Sequence, residues 1–373
     1  MDGGKPWALI SEVGEQGILE STVDLLSKHF RLIPNRDFLR DSRMHGHKIQ
    51  VMFMWNQDPQ ATPALLSSLP ALKLIASGGA GTDHLDLPYI TSRGVKVSNT
   101  PGVVSDCTAD MAMGLLLASA RSIVEGHQLI THPETTCLPQ WMGGVEVSGS
   151  TLGMIGMGKI GEKIAQRAKG FDMIVLYHNR NRRSEMEQAV AASYCQNMDD
   201  LLRSSDFVML AVCLTPDTTS LISTRELGLM KPSATLINIS RGPVVDQDAL
   251  VDTLQARTIR GAALDVTYPE PLPRDHPLLG LPNVLITPHV GTSTINTMRK
   301  MVQKMAENAL AAIKGESIPD EMQMRHNIAY IQQPRRTTAH SFHECGMLGY
   351  NSSVHSRVKT RFTSVVDTLV GAT

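Results

Sequence analysis

The sequence predicts an α/β protein made of two doubly wound parallel-sheet domains. Three observations carry that expectation. Short apolar runs alternate with segments of helical period on both sides of residue 150. A glycine turn, GMGKIG at 156–161, falls between one such run and one such helix. A chain of 373 residues suffices for roughly two domains, each with its own core.

Residues 7–13 read as a first strand, followed by a helix through Ile18, Val23, Leu25 and Leu26 and a second strand at 30–33. Strands follow at 50–55, 72–77 and 95–98, with a short helix at 63–69 between the first two of these. The segment 104–121 is small and apolar, as expected of a long buried helix that joins two domains or of an ordinary core helix. The run 152–155 is a buried strand, after which Ile160, Ile164 and Ala168 recur at helical spacing until Gly170. Further strands are expected at 173–177, 207–212, 235–239, 261–266 and 284–286, with a helix at 248–257 showing Leu250, Val251 and Leu254 on one face. The last helix, 298–313, is amphipathic and stops at Gly315, so it packs back on the first domain. The expected domains are therefore 1–102 with 290–324, a discontinuous substrate domain, and 103–289, a dinucleotide-binding domain. Residues 325–373 are rich in Arg, His, Ser and Thr without a sustained period and read as a flexible tail.

Composition narrows the function. A net charge of -1 gives no basic field to recruit nucleic acid or acidic lipid. The amino terminus has no signal-like apolar region and no stretch reaches the roughly 18 apolar residues of a membrane span, so a cytoplasmic chain is expected. The 5 cysteines are scattered and unpaired by motif, which suits reduced thiols. The one HxH pair, His45 and His47, sits in a charged segment that reads as a solvated loop, and no metal is expected.

In the glycine turn, Gly156 makes the bend, Gly158 admits a pyrophosphate to the backbone, and Gly161 lets helix and strand pack closely. The free N–H groups of the helix start then face phosphate. An NAD site usually carries an acid at the end of the next strand. Here the strand ends in Asn179, Arg180, Asn181, Arg182 and Arg183 after His178, with no acid. Such a basic end suits the 2′-phosphate of NADP, so NADP(H) is preferred and NAD(H) remains possible.

Three further strand ends carry chemistry: Arg241 in ISRG, Glu270 between prolines after LDV, and His289 in TPHVG. Alone, these are as readily a surface ion pair, a solvated carboxylate and a structural histidine. Together, at successive strands of one nucleotide-binding sheet, they converge on the nicotinamide. Reduction of a 2-oxo acid needs an anchor for the carboxylate, a hydride donor and a proton donor. A carboxylate beside a histidine favours the imidazolium that gives the proton.

With INISRGPVVDQDAL, ALDVTYPEPLP and ITPHVGTST in this order after the glycine turn, residues 7–322 resemble the D-2-hydroxyacid dehydrogenase family, and most of all its glyoxylate/hydroxypyruvate reductase branch. The resemblance implies a Rossmann-type cofactor domain plus a flavodoxin-like substrate domain, with the active site in the cleft. It implies that Arg241 binds and polarises the substrate, Glu270 supports His289, and His289 is the acid/base. Asp265 would face the nicotinamide carboxamide; Thr108, Cys213, Ile239 and Gly291 would touch the cofactor, beside Gly156, Gly158, Lys159, Ile160, Gly161, Asn179, Arg180 and Arg183. The loop SGGAGTD would hold the substrate carboxylate at Ala80 and Gly81, near Thr292, and Trp141 would either reach a partner's active site across a homodimer or stand as a buried anchor at the dimer contact. Asp110 stands where the family commonly has Glu. The expected activity is NADP(H)-dependent reduction of glyoxylate and hydroxypyruvate to D-2-hydroxy acids. The alternatives are an NAD-linked phosphoglycerate or other hydroxyacid dehydrogenase, and a dinucleotide-sensing protein like the C-terminal-binding-protein corepressors, which share the fold.

Overall fold

The structure, a computed structural model, describes residues 4–14, 17–132 and 143–322. Trp141 and the expected tail at 325–373 lie outside these described residues. The first sheet has 5 parallel strands in the order β2-β1-β3-β4-β5: β1 Trp7–Ile10, β2 Arg31–Pro34, β3 Ile49–Met54, β4 Leu74–Ser77 and β5 Lys96–Ser98. The second has 7, in the order β12-β11-β10-β9-β6-β7-β8: β6 Thr151–Ile155, β7 Ile174–His178, β8 Ser193–Tyr194, β9 Phe207–Leu210, β10 Thr235–Asn238, β11 Gly261–Leu264 and β12 Val284–Ile286. Both orders are doubly wound, as the alternating pattern predicts.

The central strands are fully buried runs such as FVML and TLIN, because helices cover both faces of a parallel sheet. In the second sheet the order of strands reverses between β6 and β9, and the glycine turn leaves β6 there. That is the crevice in which ligands of wound sheets bind.

The helix Ser105–Ala120 buries Ala109, Ala112, Met113, Leu115 and Leu116 against Leu152, Met154 and Ile164 of the second sheet and its glycine helix. Asp110, on its outer side, pairs with Arg167 at 2.7 Å, so the shorter acid still reaches the glycine helix. Its last carbonyls, Ser119 and Ala120, accept hydrogen bonds from Arg260 at 3.0 and 3.2 Å. The helix Ile295–Lys314, capped by Thr294 and closed by a left-handed Gly315, places Met301, Met305 and Ala309 against Ala8, Val51 and Phe53 of the first sheet. The chain thus passes between the sheets twice, after β5 and after β12.

One local expectation is corrected. The segment around His45 and His47 is not a solvated loop: it forms the short helix Ser42–His45 and a following turn, with the His45 ring stacked on Trp7 at 5.4 Å. Gly170 closes the glycine helix as expected, in a right-handed conformation, and a left-handed residue follows at Asp172 (φ 55°). Among the described residues no single helix is long and apolar enough to cross a membrane.

Candidate active site

The turn after β6 shows each glycine's role by what a side chain would meet. At Gly156 (φ 106°) a Cβ would collide with the Ala211 carbonyl, and at Gly161 with the Gly156 carbonyl. At Gly158 it would meet nothing within 4 Å. The first and third glycines are therefore demanded by packing, and the middle one borders open space at the start of the helix Lys159–Lys169. That is the arrangement a pyrophosphate needs, and the residues present fit a dinucleotide. Lys159 is exposed there and Ile160 half-buried.

At the end of β7, the Asn179 side-chain oxygen accepts from the Met157 N–H at 2.7 Å and so braces the glycine turn. The expected cluster of free basic groups is largely engaged. His178 bonds the Cys195 carbonyl, Arg182 makes a two-pronged pair with Glu187 at 2.7 and 2.8 Å, and Arg183 pairs with Glu185 at 2.6 Å. The hydrogen bond from Arg182, then that from the Tyr177 hydroxyl, pulls the Glu187 carboxyl down to about 2. Arg180, which is exposed, is the one of these arginines without a side-chain partner among the described residues. The two glutamates lie beyond the strand end, on the helix Ser184–Val190, which is why the basic run alone did not announce them.

Arg241 follows β10. The Asn238 amide oxygen accepts from the Ser240 N–H and hydroxyl, and its NH2 group donates to the Arg241 carbonyl, which fixes the turn. Ile239, just before it, is buried. A Cβ at Gly242 would strike the Thr267 carbonyl, so this turn lies directly on the loop that carries Glu270. Arg241 Nε donates to both oxygens of Asp83 at 3.0 and 3.2 Å, and Nη1 donates to the Ser240 carbonyl at 2.8 Å. Asp83 belongs to the loop after β4 in the other sheet.

Glu270 and His289 form a dyad. Glu270 Oε1 accepts from the Thr267 N–H at 2.9 Å, and Oε2 lies 2.8 Å from His289 Nδ1. Burial works to raise the Glu270 carboxyl, but the hydrogen bond and charge of His289, the Thr267 N–H and the charge of Arg241 outweigh it and hold the carboxyl below the usual range. With the carboxylate accepting, Nδ1 carries the hydrogen of this bond. His289 has a left-handed backbone (φ 54°), held by its N–H to the Asp265 carbonyl at 2.8 Å.

Asp265 is 2% exposed, and its carboxylate accepts from Thr287 Oγ1 at 2.6 Å, Val290 N at 2.9 Å and Gly291 N at 2.8 Å. The same carboxylate, expected to face the nicotinamide, satisfies the N–H groups of the histidine loop. Gly291 lies against Thr108: a Cβ there would sit 3.5 Å from its methyl, and the Thr108 hydroxyl donates to the Val104 carbonyl at 2.8 Å. Cys213 is exposed, and its carbonyl accepts from Thr218 at 2.7 Å. Thr292 is half-buried just beyond.

In the SGGAGTD loop, Gly79 exchanges bonds with Thr100, and Asn99 donates to the Ala80 carbonyl at 2.7 Å. Gly81 has no room for a Cβ because Arg241 Nη2 occupies that place. The structure therefore brings Gly81, Arg241, Glu270, His289, Asp265, Gly291 and Thr108 into one connected set. Sequence reasoning missed Asp83 and its neighbour His84, whose ring lies 3.3 Å from Ser77 Oγ. Burial lowers the His84 pKa below 6.5, against the charge of Asp83 and aided by that of Arg241.

Comparison with known proteins matches this arrangement to one family. The profile described as "D-isomer specific 2-hydroxyacid dehydrogenase, NAD binding domain" matches residues 113–291. A glyoxylate reductase of Pyrococcus horikoshii is 43% identical over 260 residues, 68% of this chain and 77% of that protein. One of Korarchaeum cryptofilum is 37% identical over 328 residues, 85% of this chain and 95% of its own length. Among solved structures, an NADPH-dependent glyoxylate/hydroxypyruvate reductase of Sinorhizobium meliloti, in complex with NADP and malonate, superposes with a TM-score of 0.74 at 26% identity, covering 85% of this chain and 97% of that one. The glycine turn, the Arg241, Glu270 and His289 strand ends and these likenesses together place the chain in the D-2-hydroxyacid dehydrogenase family.

Proposed function

We propose that this protein is an NADP(H)-dependent reductase of small 2-oxo acids, glyoxylate and hydroxypyruvate first among them, yielding D-2-hydroxy acids. The observation that carries the reading is the His289–Glu270 dyad at 2.8 Å, on a loop in contact with that of Arg241, in the sheet that bears the glycine turn. The names of the glyoxylate reductases to which the chain is similar support the substrate class.

When bound, a reduced nicotinamide supplies a hydride to C2 of the oxo acid. Gly156, Gly158, Lys159, Ile160 and Gly161 would hold the pyrophosphate; Asn179, Arg180 and Arg183 the adenosine ribose and its phosphate; Thr108, Cys213, Ile239, Asp265 and Gly291 the nicotinamide half. Arg241 and the backbone of Ala80 and Gly81 hold the substrate carboxylate, with Thr292 alongside. His289 keeps a proton at Nε2 for the carbonyl oxygen, and Glu270 fixes the ring by its Nδ1–H while stabilising the imidazolium.

The NADP(H) preference is supported by the strand end without an acid and by the exposed Arg180. A second reading, an NAD-linked hydroxyacid dehydrogenase, is favoured by the pairing of Arg182 and Arg183 with their own glutamates. Steady-state rates for glyoxylate, hydroxypyruvate and pyruvate with NADPH and NADH decide between the two. A higher kcat/KM with NADH overturns the preference, and no turnover of any 2-oxo acid overturns the enzyme reading in favour of a dinucleotide sensor.

The proposed substrate domain comprises 1–102 and 290–324, and the cofactor domain 103–289. The proposed assembly is a homodimer, to which Trp141 contributes. The helix Ile123–Thr131 supports it: none of its residues is buried, and Ile123 and Ile130 are 55% and 69% exposed. Light scattering on the purified chain tests it.

A further inference from the structure

We propose that Asp83 is a positioning residue for Arg241, reaching across from the other sheet to set which edge of the guanidinium meets the substrate. The inference rests on the reading of Arg241 as the carboxylate anchor. An acid inside an anion-binding pocket is at first sight a competitor for the arginine. The geometry points the other way, because both Asp83 oxygens take the Nε–H, at 3.0 and 3.2 Å, and neither takes a terminal nitrogen.

The rest of the guanidinium is fixed as well. One N–H of Nη1 goes to the Ser240 carbonyl at 2.8 Å, and Nη2 lies where a Cβ of residue 81 would be, against the backbone expected to receive the same carboxylate. Of the five N–H groups of an arginine, this leaves one on Nη1 and the pair on Nη2 unengaged. These are the groups that can form the two-pronged contact a carboxylate prefers. Asp83 itself is held in place, since its loop is tied to Asn99 and Thr100 at the crossing between the sheets. Both side chains are largely shielded, at 29% and 22% exposure, so the pair is less screened than one on the open surface.

Without the carboxylate, Ser240 alone would orient a long and rotatable side chain. A displacement of about 1 Å of such a group can cost on the order of a hundredfold in rate. A pair that served only to join the sheets would not act through Arg241, and that difference is measurable.

The experiment compares Asp83→Asn, which keeps size and an acceptor, in the wild-type and Arg241→Lys backgrounds. A lysine has no Nε–H edge to be held. The readouts are kcat/KM for glyoxylate, the Kd for NADPH by fluorescence, and the Kd of oxamate, an unreactive 2-oxo acid mimic, on the NADPH-loaded enzyme. Asp83→Asn is expected to lower kcat/KM by about 10- to 100-fold and to weaken oxamate similarly, with the NADPH Kd within about twofold. In the Arg241→Lys background the same change should cost less than about threefold, because the two groups act as one unit. Equal losses in both backgrounds, or no loss while the parent enzyme reduces glyoxylate, overturn the inference alone. A parent enzyme that neither turns over any 2-oxo acid nor binds oxamate overturns the functional reading and this inference with it.

Discussion

Glu270 Oε2 and His289 Nδ1 face each other at 2.8 Å, and the other Glu270 oxygen is anchored by the Thr267 N–H. The carboxylate therefore has one fixed orientation, and the imidazole has one tautomer that suits it. His289→Ala should lower kcat by about 10²- to 10⁴-fold, the usual contribution of a positioned acid/base, with the NADPH Kd little changed. Glu270→Gln should cost less but shift the pH profile of kcat. Stopped-flow and steady-state rates check both, and an alanine variant with near-parental turnover removes His289 from the mechanism.

The glycine turn separates a binding effect from a folding one. Gly158→Ala places a methyl in open space, so the melting temperature should hold while dinucleotide affinity falls about tenfold or more. Gly161→Ala drives a methyl into the Gly156 carbonyl and should cost about 1–3 kcal/mol of stability. Thermal denaturation without ligand, alongside NADPH titration, reads the two apart.

Arg180→Ala tests the adenosine end. It should weaken NADPH by about tenfold, the loss of one charge-assisted contact, and leave NADH nearly unchanged. If both cofactors weaken alike, the side chain is not reading the phosphate.

His84 makes a prediction about pH. Its pKa in the folded chain lies below 6.5, chiefly through burial, so the unfolded chain binds the proton more readily. The stabilisation is fully present above pH 6.5 and is lost as pH falls through the lower folded value. His84→Gln, which cannot titrate, should flatten the fall in melting temperature between pH 6.5 and that value. An unchanged slope would mean that other groups set the acid limb.

Arg260 should be a stability residue and nothing more. Its guanidinium caps the helix Ser105–Ala120 through two carbonyls, so Arg260→Met should cost about 2–3 kcal/mol in chemical denaturation without altering kcat.

The strands were legible in the sequence because they are buried on both faces: Ile49–Met54 and Phe207–Leu210 are nearly unbroken apolar runs, and a run is visible without knowing its neighbours. Their ends were less so; the first strand stops at Ile10, three residues short of the apolar Val13. The positions of Arg241, Glu270 and His289 at strand ends followed from the order of elements. Their partners did not. Asp83 lies 158 residues from Arg241, and no local pattern encodes that meeting. Glu185 and Glu187 sit one turn past a basic run, and only the fold brings their carboxylates back over it. The helix Ile123–Thr131 was missed because none of its residues is buried, and a helix without a core-facing stripe leaves little trace in the sequence.

Among the described residues the chain passes from one sheet to the other at two places, and each is bonded to a loop of the proposed site: Thr100 to Gly79 at the first, Gly291 to Asp265 at the second. Any rotation of the halves must turn about these threads. Opening or shutting the groove would therefore tug at the same moment on the loop proposed to seat the substrate and on the loop proposed to give the proton.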